Sequence, residues 1–254
     1  MSDLNGKVAI ITGGSKGLGL GLAKAYVKEG IAVVLTGRTQ STLDDAKVEL
    51  EQLVPDARVL TIAGDNKDHD VPASVVQTTV DTFGRLDVLI NNAQEFRTVI
   101  PFEDTTWDDM IVTYESGVFA TWRYMVAALP HLKETKGTIL NMSSGAGAQS
   151  LPNHAAYASN KEAIRSLTRV AAREWGQYGI TVNVMSPFVA SAESERWEQE
   201  HPDELEAVLK TIPLGRIGDA ELHAGSLAVY LASGAGHYMT GSTFDVEGGA
   251  FVRP

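Results

Sequence analysis

Short apolar runs separated by longer amphipathic stretches constrain this chain more than any other feature. The runs cover residues 7–12, 31–36, 58–63, 86–91, 137–142, 180–185 and 243–246. Most are apolar throughout rather than alternating, the pattern of strands buried on both faces. Helical periodicity fills the gaps over 18–29, 41–53, 71–83, 106–132, 157–178 and 221–233. This alternation predicts an α/β fold, a doubly wound parallel sheet of about seven strands with helices on both faces. No internal repeat, low-complexity tract or linker divides the chain. Its 254 residues, 44% hydrophobic, suffice for one large core, so residues 1–254 read as a single domain.

One stretch breaks the pattern. Residues 190–219 are long and charged, and carry Trp197, Pro202 and Pro213. Because the stretch follows the C-terminal end of a strand, it reads as a substrate lid, with a solvated insertion as the alternative.

Charge and composition remove several functions. A net charge of −11 argues against broad binding to nucleic acid or anionic membranes. The absence of cysteine excludes disulfides, thiolate nucleophiles and cysteine-ligated metals. The six histidines show no metal-ligand spacing, so no metal is expected. The N-terminus lacks an apolar signal core, and no apolar run reaches membrane-spanning length. The expectation is a cytoplasmic protein acting on a small molecule.

The first apolar run leads into Thr12-Gly13-Gly14-Ser15-Lys16-Gly17-Leu18-Gly19. A strand, a glycine-rich turn and a helix start make an anion site, because unpaired N–H groups and the positive dipole end face the turn. The glycines Gly13, Gly17 and Gly19 let the backbone approach a pyrophosphate. Two rival motifs overlap the segment. Gly13 to Gly17 matches the G-x-S-x-G nucleophile elbow, but that elbow needs several strands before it and here only one precedes it. The glycine spacing of a P-loop is also present, but Leu20 stands where lysine is required.

The second run ends Thr36-Gly37-Arg38, with no carboxylate to hold the ribose 2′-hydroxyl of NAD. Lys16 and Arg38 could both reach a 2′-phosphate, which points to NADP(H), NAD(H) remaining possible. The alternative is that both are ordinary surface cations.

Tyr157 and Lys161 stand four apart on one helical face. A phenol of pKa ~10 is a poor base at neutral pH. A nearby ammonium is expected to lower it. Ser144 follows the fifth run, where its hydroxyl could hydrogen-bond a substrate oxygen.

Taken in order, these motifs resemble the short-chain dehydrogenase/reductase family over essentially the whole chain. They are Thr12-Gly13-x3-Gly17-x-Gly19, Asn91-Asn92-Ala93, Ser144, Tyr157-x3-Lys161, Asn183 before Ser186-Pro187, Thr240-Gly241 and Gly248-Gly249. The resemblance implies a Rossmann fold with strand order 3-2-1-4-5-6-7. It implies that Tyr157 is the general acid/base, that Ser144 polarises the reacting oxygen, and that Lys161 binds the nicotinamide ribose and tunes Tyr157. It places Asp65 and Asn66 by the adenine, and Asn92 and Ala93 in the cofactor cleft. Ser15, Leu18, Pro187 and Val189 would also line the cofactor. It further implies a homotetramer built on the helices of 106–132 and 157–178.

Three positions depart from the family pattern. Gln94 replaces a glycine and is expected to contact substrate. Tyr114 stands at the position of a catalytic asparagine, which leaves the family's four-residue proton relay in doubt but not the Ser-Tyr-Lys set. Phe188 replaces a glycine after the sixth run and would enlarge an apolar wall. With Phe96 and Trp197 it favours an apolar, cyclic or aromatic substrate. The sequence therefore predicts an NADP(H)-dependent ketoreductase or alcohol dehydrogenase. The alternative is a catalytically silent dinucleotide-binding sensor of the same fold.

Overall fold

The structure is a computed structural model describing residues 4–95, 97, 99–190 and 202–251, with side chains omitted at 202–205. Seven strands form one parallel sheet: β1 (Val8–Thr12), β2 (Ala32–Gly37), β3 (Val59–Ala63), β4 (Val88–Asn91), β5 (Thr138–Met142), β6 (Thr181–Pro187) and β7 (Thr243–Val246). Their order is β3-β2-β1-β4-β5-β6-β7, a Rossmann arrangement. Register follows the apolar runs directly, Ile10 lying beside Val34 on one side and Leu89 on the other.

Helices cover both faces. They are α1 (Gly17–Lys28), α2 (Gln40–Leu53), α3 (Val71–Phe83), α4 (Trp107–Tyr114), α5 (Ala120–Thr135), α6 (Gly145–Ala148), α7 (Ala155–Trp175), α8 (Pro202–Thr211) and α9 (Ser226–Ala232). Side-chain alternation on the strands splits the core into two layers. Ala9, Ile11 and Leu35 meet Leu22 and Tyr26 of α1 on one face, while Val8, Ile10 and Val34 meet Tyr124, Met125 and Leu132 of α5 on the other.

The chain differs from its sequence reading in three places. The expected helix over 106–132 is interrupted by a π-helical turn, Glu115–Phe119, between α4 and α5. Of segment 190–219, residues 191–201 lie outside the described residues; the rest contains α8, and a bridge joins Val189 to Gly218. The helix expected over 221–233 likewise begins as a π-helical stretch, Ala220–Gly225, before α9.

The π turn has a visible partner. The Val118 N–H donates to Asn160 Oδ1 at 2.8 Å, and Asn160 is fully buried on α7. The misfit in one helix is thereby locked to the helix that carries Tyr157 and Lys161, an arrangement typical of π turns near functional sites. Asn160→Ala strands a buried N–H and is expected to destabilise the fold by about 1–3 kcal/mol. Urea unfolding of the variant measures the loss.

Candidate active site

Every expected site residue that the structure describes comes from a strand's C-terminal end or the loop or helix that follows it. This is where a doubly wound sheet opens a crevice, on either side of β1. The glycine turn is built to receive a phosphate-bearing group. Gly13 and Gly17 have φ of +64° and +53°, conformations that favour glycine. A Cβ on Gly19 would sit 2.2 Å from the Gly13 carbonyl oxygen. Helix α1 starts after Lys16 without a side-chain cap and with no acidic residue in its first turn, leaving its N-terminus electropositive. The residues present therefore fit a dinucleotide pyrophosphate.

Neighbouring polar groups hold this turn in shape. Thr12 Oγ1 accepts from the N–H groups of Asn92 and Ala93, both at 2.9 Å. The Asn92 amide donates to the carbonyls of Thr12 and Gly13, at 2.8 and 3.2 Å. Asn92 lines the crevice as expected, but its amide nitrogen is committed to the turn. Ser15 lies beside Gly37, its hydroxyl 3.7 Å from where a Cβ on that residue would stand. Asn66 accepts a hydrogen bond from the buried Tyr124 hydroxyl at 3.0 Å. Arg38 is ion-paired across the crevice to Glu95 at 3.1 Å.

The proton-handling groups meet one strand further along. A cleft of about 150 Å³ is lined by Leu18, Asn92 and Gln94 on one side and by Ser144, Tyr157, Lys161 and Pro187 on the other. Ser144 sits just before α6, where its hydroxyl accepts from the Ala146 N–H at 3.2 Å. It also hydrogen-bonds the Tyr157 side chain. Lys161 is buried, and its ammonium donates to the Met142 carbonyl at 2.9 Å, 5.5 Å from the centre of the Tyr157 ring. Below them, the Asn91 amide donates to Asn141 Oδ1 at 2.8 Å, and the Asn141 amide to Thr168 Oγ1 at 2.9 Å. This buried polar ladder ties β4, β5 and α7 into a fixed platform.

The electrostatics correct one expectation. Lys161 was expected to lower the tyrosine's pKa. Instead burial pushes the Tyr157 phenol up, opposed by the hydrogen bond with Ser144, and burial lowers Lys161 to about 7. Both charged forms lose hydration in the cleft, and burial is the leading cause of each shift. Tyr157 therefore stands protonated at neutral pH, ready to donate to a developing alkoxide.

The three departures resolve differently. Both polar atoms of the Gln94 amide are buried in the cleft and have no hydrogen-bond partner among the described residues. Tyr114 ends α4 and packs edge-on to Phe119, with ring centroids 5.9 Å apart. It does not line the cleft. The Phe188 ring packs against Phe251, near the C-terminus, at 6.3 Å. Phe251 lies against Gly145, where a Cβ would come within 2.0 Å of its ring. The aromatic pair thus lies against Gly145, the residue after Ser144, and neither ring lines the cleft itself. Phe96 and Trp197 fall outside the described residues.

Sequence reasoning missed Glu95, Phe251 and Asn160. Glu95 had a usable signal, an acid directly after Gln94 at a strand's end. Phe251 had none, because only the fold brings the chain's end to Gly145. A larger cavity of about 490 Å³, bordered by Phe102, Leu151 and His154, reaches none of the three proton-handling side chains.

Comparison with known proteins agrees with this geometry. The family described as enoyl-(acyl carrier protein) reductase matches residues 13–250. A 12alpha-hydroxysteroid dehydrogenase of Clostridium sp. is 44% identical over 260 residues, covering 100% of each chain. The chain belongs to the short-chain dehydrogenase/reductase family. Among solved structures, YwfH, an NADPH dependent reductase involved in bacilysin biosynthesis, superposes with a TM-score of 0.91 at 25% identity, covering 98% of this chain and 99% of that one. A xylitol dehydrogenase with bound NAD+ gives 0.89 at 25% identity, covering 97% of this chain and 100% of that one. Members of this family are nicotinamide-dependent, and the chain is a carbonyl/alcohol oxidoreductase by membership. Among the described residues, no helix is long and apolar enough to cross a membrane, and no group of three or more His, Asp or Glu could hold a metal ion.

Proposed function

We propose that this protein is an NADP(H)-dependent ketoreductase or alcohol dehydrogenase that interconverts a ring ketone and a secondary alcohol on an apolar cyclic substrate, specifically a hydroxysteroid. The observation that carries the reading is the convergence of Ser144, Tyr157 and Lys161 on one cleft beside the glycine turn. The steroid assignment draws on the full-length 44% identity to a hydroxysteroid dehydrogenase. The aromatic pair of Phe188 and Phe251 supplies an apolar wall that suits it.

A bound nicotinamide would supply the hydride to the carbonyl carbon, or accept it from the alcohol. The protein's residues handle the oxygen and its proton. Ser144 donates a hydrogen bond to the carbonyl oxygen and steadies the charge that develops there. Tyr157 gives its phenolic proton to that oxygen in reduction and takes it back in oxidation. Lys161 holds the ribose and stabilises the transient phenolate of Tyr157. Gln94, whose amide has no partner among the described residues, hydrogen-bonds a polar group of the substrate near the reacting carbon. Tyr114, at the position of the family's asparagine, packs on Phe119 outside the cleft, so Ser144, Tyr157 and Lys161 carry the proton transfer and Tyr114→Asn retains activity. Gly13, Ser15, Gly17, Leu18 and Gly19 cradle the pyrophosphate, Asp65 and Asn66 border the adenine, and Ala93, Pro187 and Val189 line the nicotinamide half.

The NADP(H) preference rests on Gly37, which offers the ribose no carboxylate, and on Arg38 and Lys16 nearby. The chain reads as one domain, and the substrate lid expected over 190–219 falls in part on residues 191–201, outside the described residues. The protein works in the cytoplasm as a homotetramer, with Trp122 and Val126, exposed on α5, at a subunit contact.

The test is a panel of hydroxysteroids and simple secondary alcohols assayed with NADP+ and with NAD+. Turnover of a hydroxysteroid with NADP+ supports the reading, and turnover of small linear alcohols alone refutes the steroid assignment. Phe251→Ala removes half of the aromatic wall. It is expected to raise KM for the steroid about tenfold while leaving kcat within about twofold, the cost of lost apolar contact. Steady-state kinetics measures the split.

A further inference from the structure

An ion-paired clasp crosses the crevice at the end of β1. Arg38 follows β2 on one side, Glu95 follows β4 on the other, and β1 runs between those two strands. Glu95 Oε2 accepts from Arg38 Nη1 at 3.1 Å and from Lys67 Nζ at 2.8 Å. One carboxylate oxygen thus sits between two cations borne on separate loops. Lys67 also lies 3.8 Å from Asp65 Oδ2, beside the expected adenine position.

Glu95 is held in place for this role. Its N–H donates to Ser116 Oγ at 3.0 Å, and its carbonyl accepts from the same hydroxyl at 2.9 Å. With the backbone fastened, the carboxylate projects over the crevice from a fixed root. The bridge itself is weak, because its side chains are a third or more exposed (Lys67 just under), and exposed pairs contribute little. A doubly charged phosphate presents more negative charge and more acceptor oxygens to the same two cations.

Building on the NADP(H) reading above, we infer that Glu95 is a resident stand-in for the cofactor's 2′-phosphate. On binding, that phosphate takes the carboxylate's place between Arg38 and Lys67, and Glu95 swings free. NAD(H), with only a hydroxyl there, leaves the clasp closed. Lys67 is thereby a further phosphate ligand beside Arg38 and Lys16. Glu95 is a specificity-determining residue that opposes NADP(H) by competition and, once displaced, by like-charge repulsion.

The experiment is a fluorescence titration of the wild type, Glu95→Gln and Lys67→Gln with NADPH and with NADH. Glu95→Gln is expected to tighten NADPH about three- to tenfold, and Lys67→Gln to weaken it about five- to tenfold, with NADH within about twofold in both. Equal tightening of both dinucleotides by Glu95→Gln would mean that the clasp merely obstructs entry, and would overturn the inference. So would unchanged NADPH affinity in both variants. A wild type that binds NADH more tightly would sink the cofactor preference proposed above. The NADPH-to-NADH ratio of the variants would still decide the exchange, so the two failures are distinguishable.

Discussion

Replacing Tyr157 with phenylalanine is expected to lower kcat by about 10²- to 10⁴-fold, the range of a lost general acid/base, while dinucleotide affinity stays within about twofold. The substitution removes one hydroxyl and keeps the ring, so the packing of α7 and the 5.5 Å approach of Lys161 to the ring persist. Ser144 loses its partner but keeps its hydrogen bond from the Ala146 N–H. Steady-state rates and a cofactor titration on the same preparation separate the two effects. An equal fall in dinucleotide affinity would mean that the hydroxyl shapes the cofactor site rather than moving a proton.

Lys161→Met is the second large effect, and it acts in opposite directions on activity and stability. Activity falls by about 10²-fold or more, because the group that steadies the phenolate is gone. Stability rises at neutral pH. Burial lowers the folded-state pKa of Lys161 from 10.5 to about 7. Between those two values the unfolded chain binds more protons than the folded one, so wild-type stability climbs as pH rises through the window. Below about pH 7 both states are protonated and the full burial penalty is present. Methionine removes that penalty, on the order of several kcal/mol at ~1.36 kcal/mol per unit, and loses one hydrogen bond to Met142 worth about 1 kcal/mol. The variant's gain is therefore largest below pH 7 and fades toward 10.5. Thermal melts across that pH range measure it. A variant less stable than wild type at pH 6 would show that the ammonium is well solvated or paired in the fold.

The parallel sheet was legible because burial on both faces forces continuous apolar runs. Residues 31–36 and 180–185 each show one, and each became a central strand of the expected order. Helix ends were less legible. The π turn at Glu115–Phe119 is invisible to a 3.6-residue period, and the Asn160 amide that accepts from its Val118 N–H lies 42 residues away. Helix α8 was hidden because its segment is charged and flanked by prolines, which reads as loop.

Within the site, Ser144, Tyr157 and Lys161 were readable because their order and spacing are distinctive. Their ionisation was not readable. The sequence shows an ammonium near a phenol but not that both are buried, and burial decided the sign of the shift. Arg38 was legible as a cation at the end of β2, while its pairing with Glu95 depends on two loops meeting across β1.

The measurement that tests the central claim most directly is a stoichiometric one. A hydroxysteroid is incubated with NADP+ and the protein, and reduced nicotinamide and ketone are quantified together, for the wild type and for Tyr157→Phe. The account predicts one ketone formed per NADPH produced, and near-complete loss of both in the variant. Tight NADPH binding without turnover on any secondary alcohol or ketone, or product formed without net cofactor consumption, would contradict it.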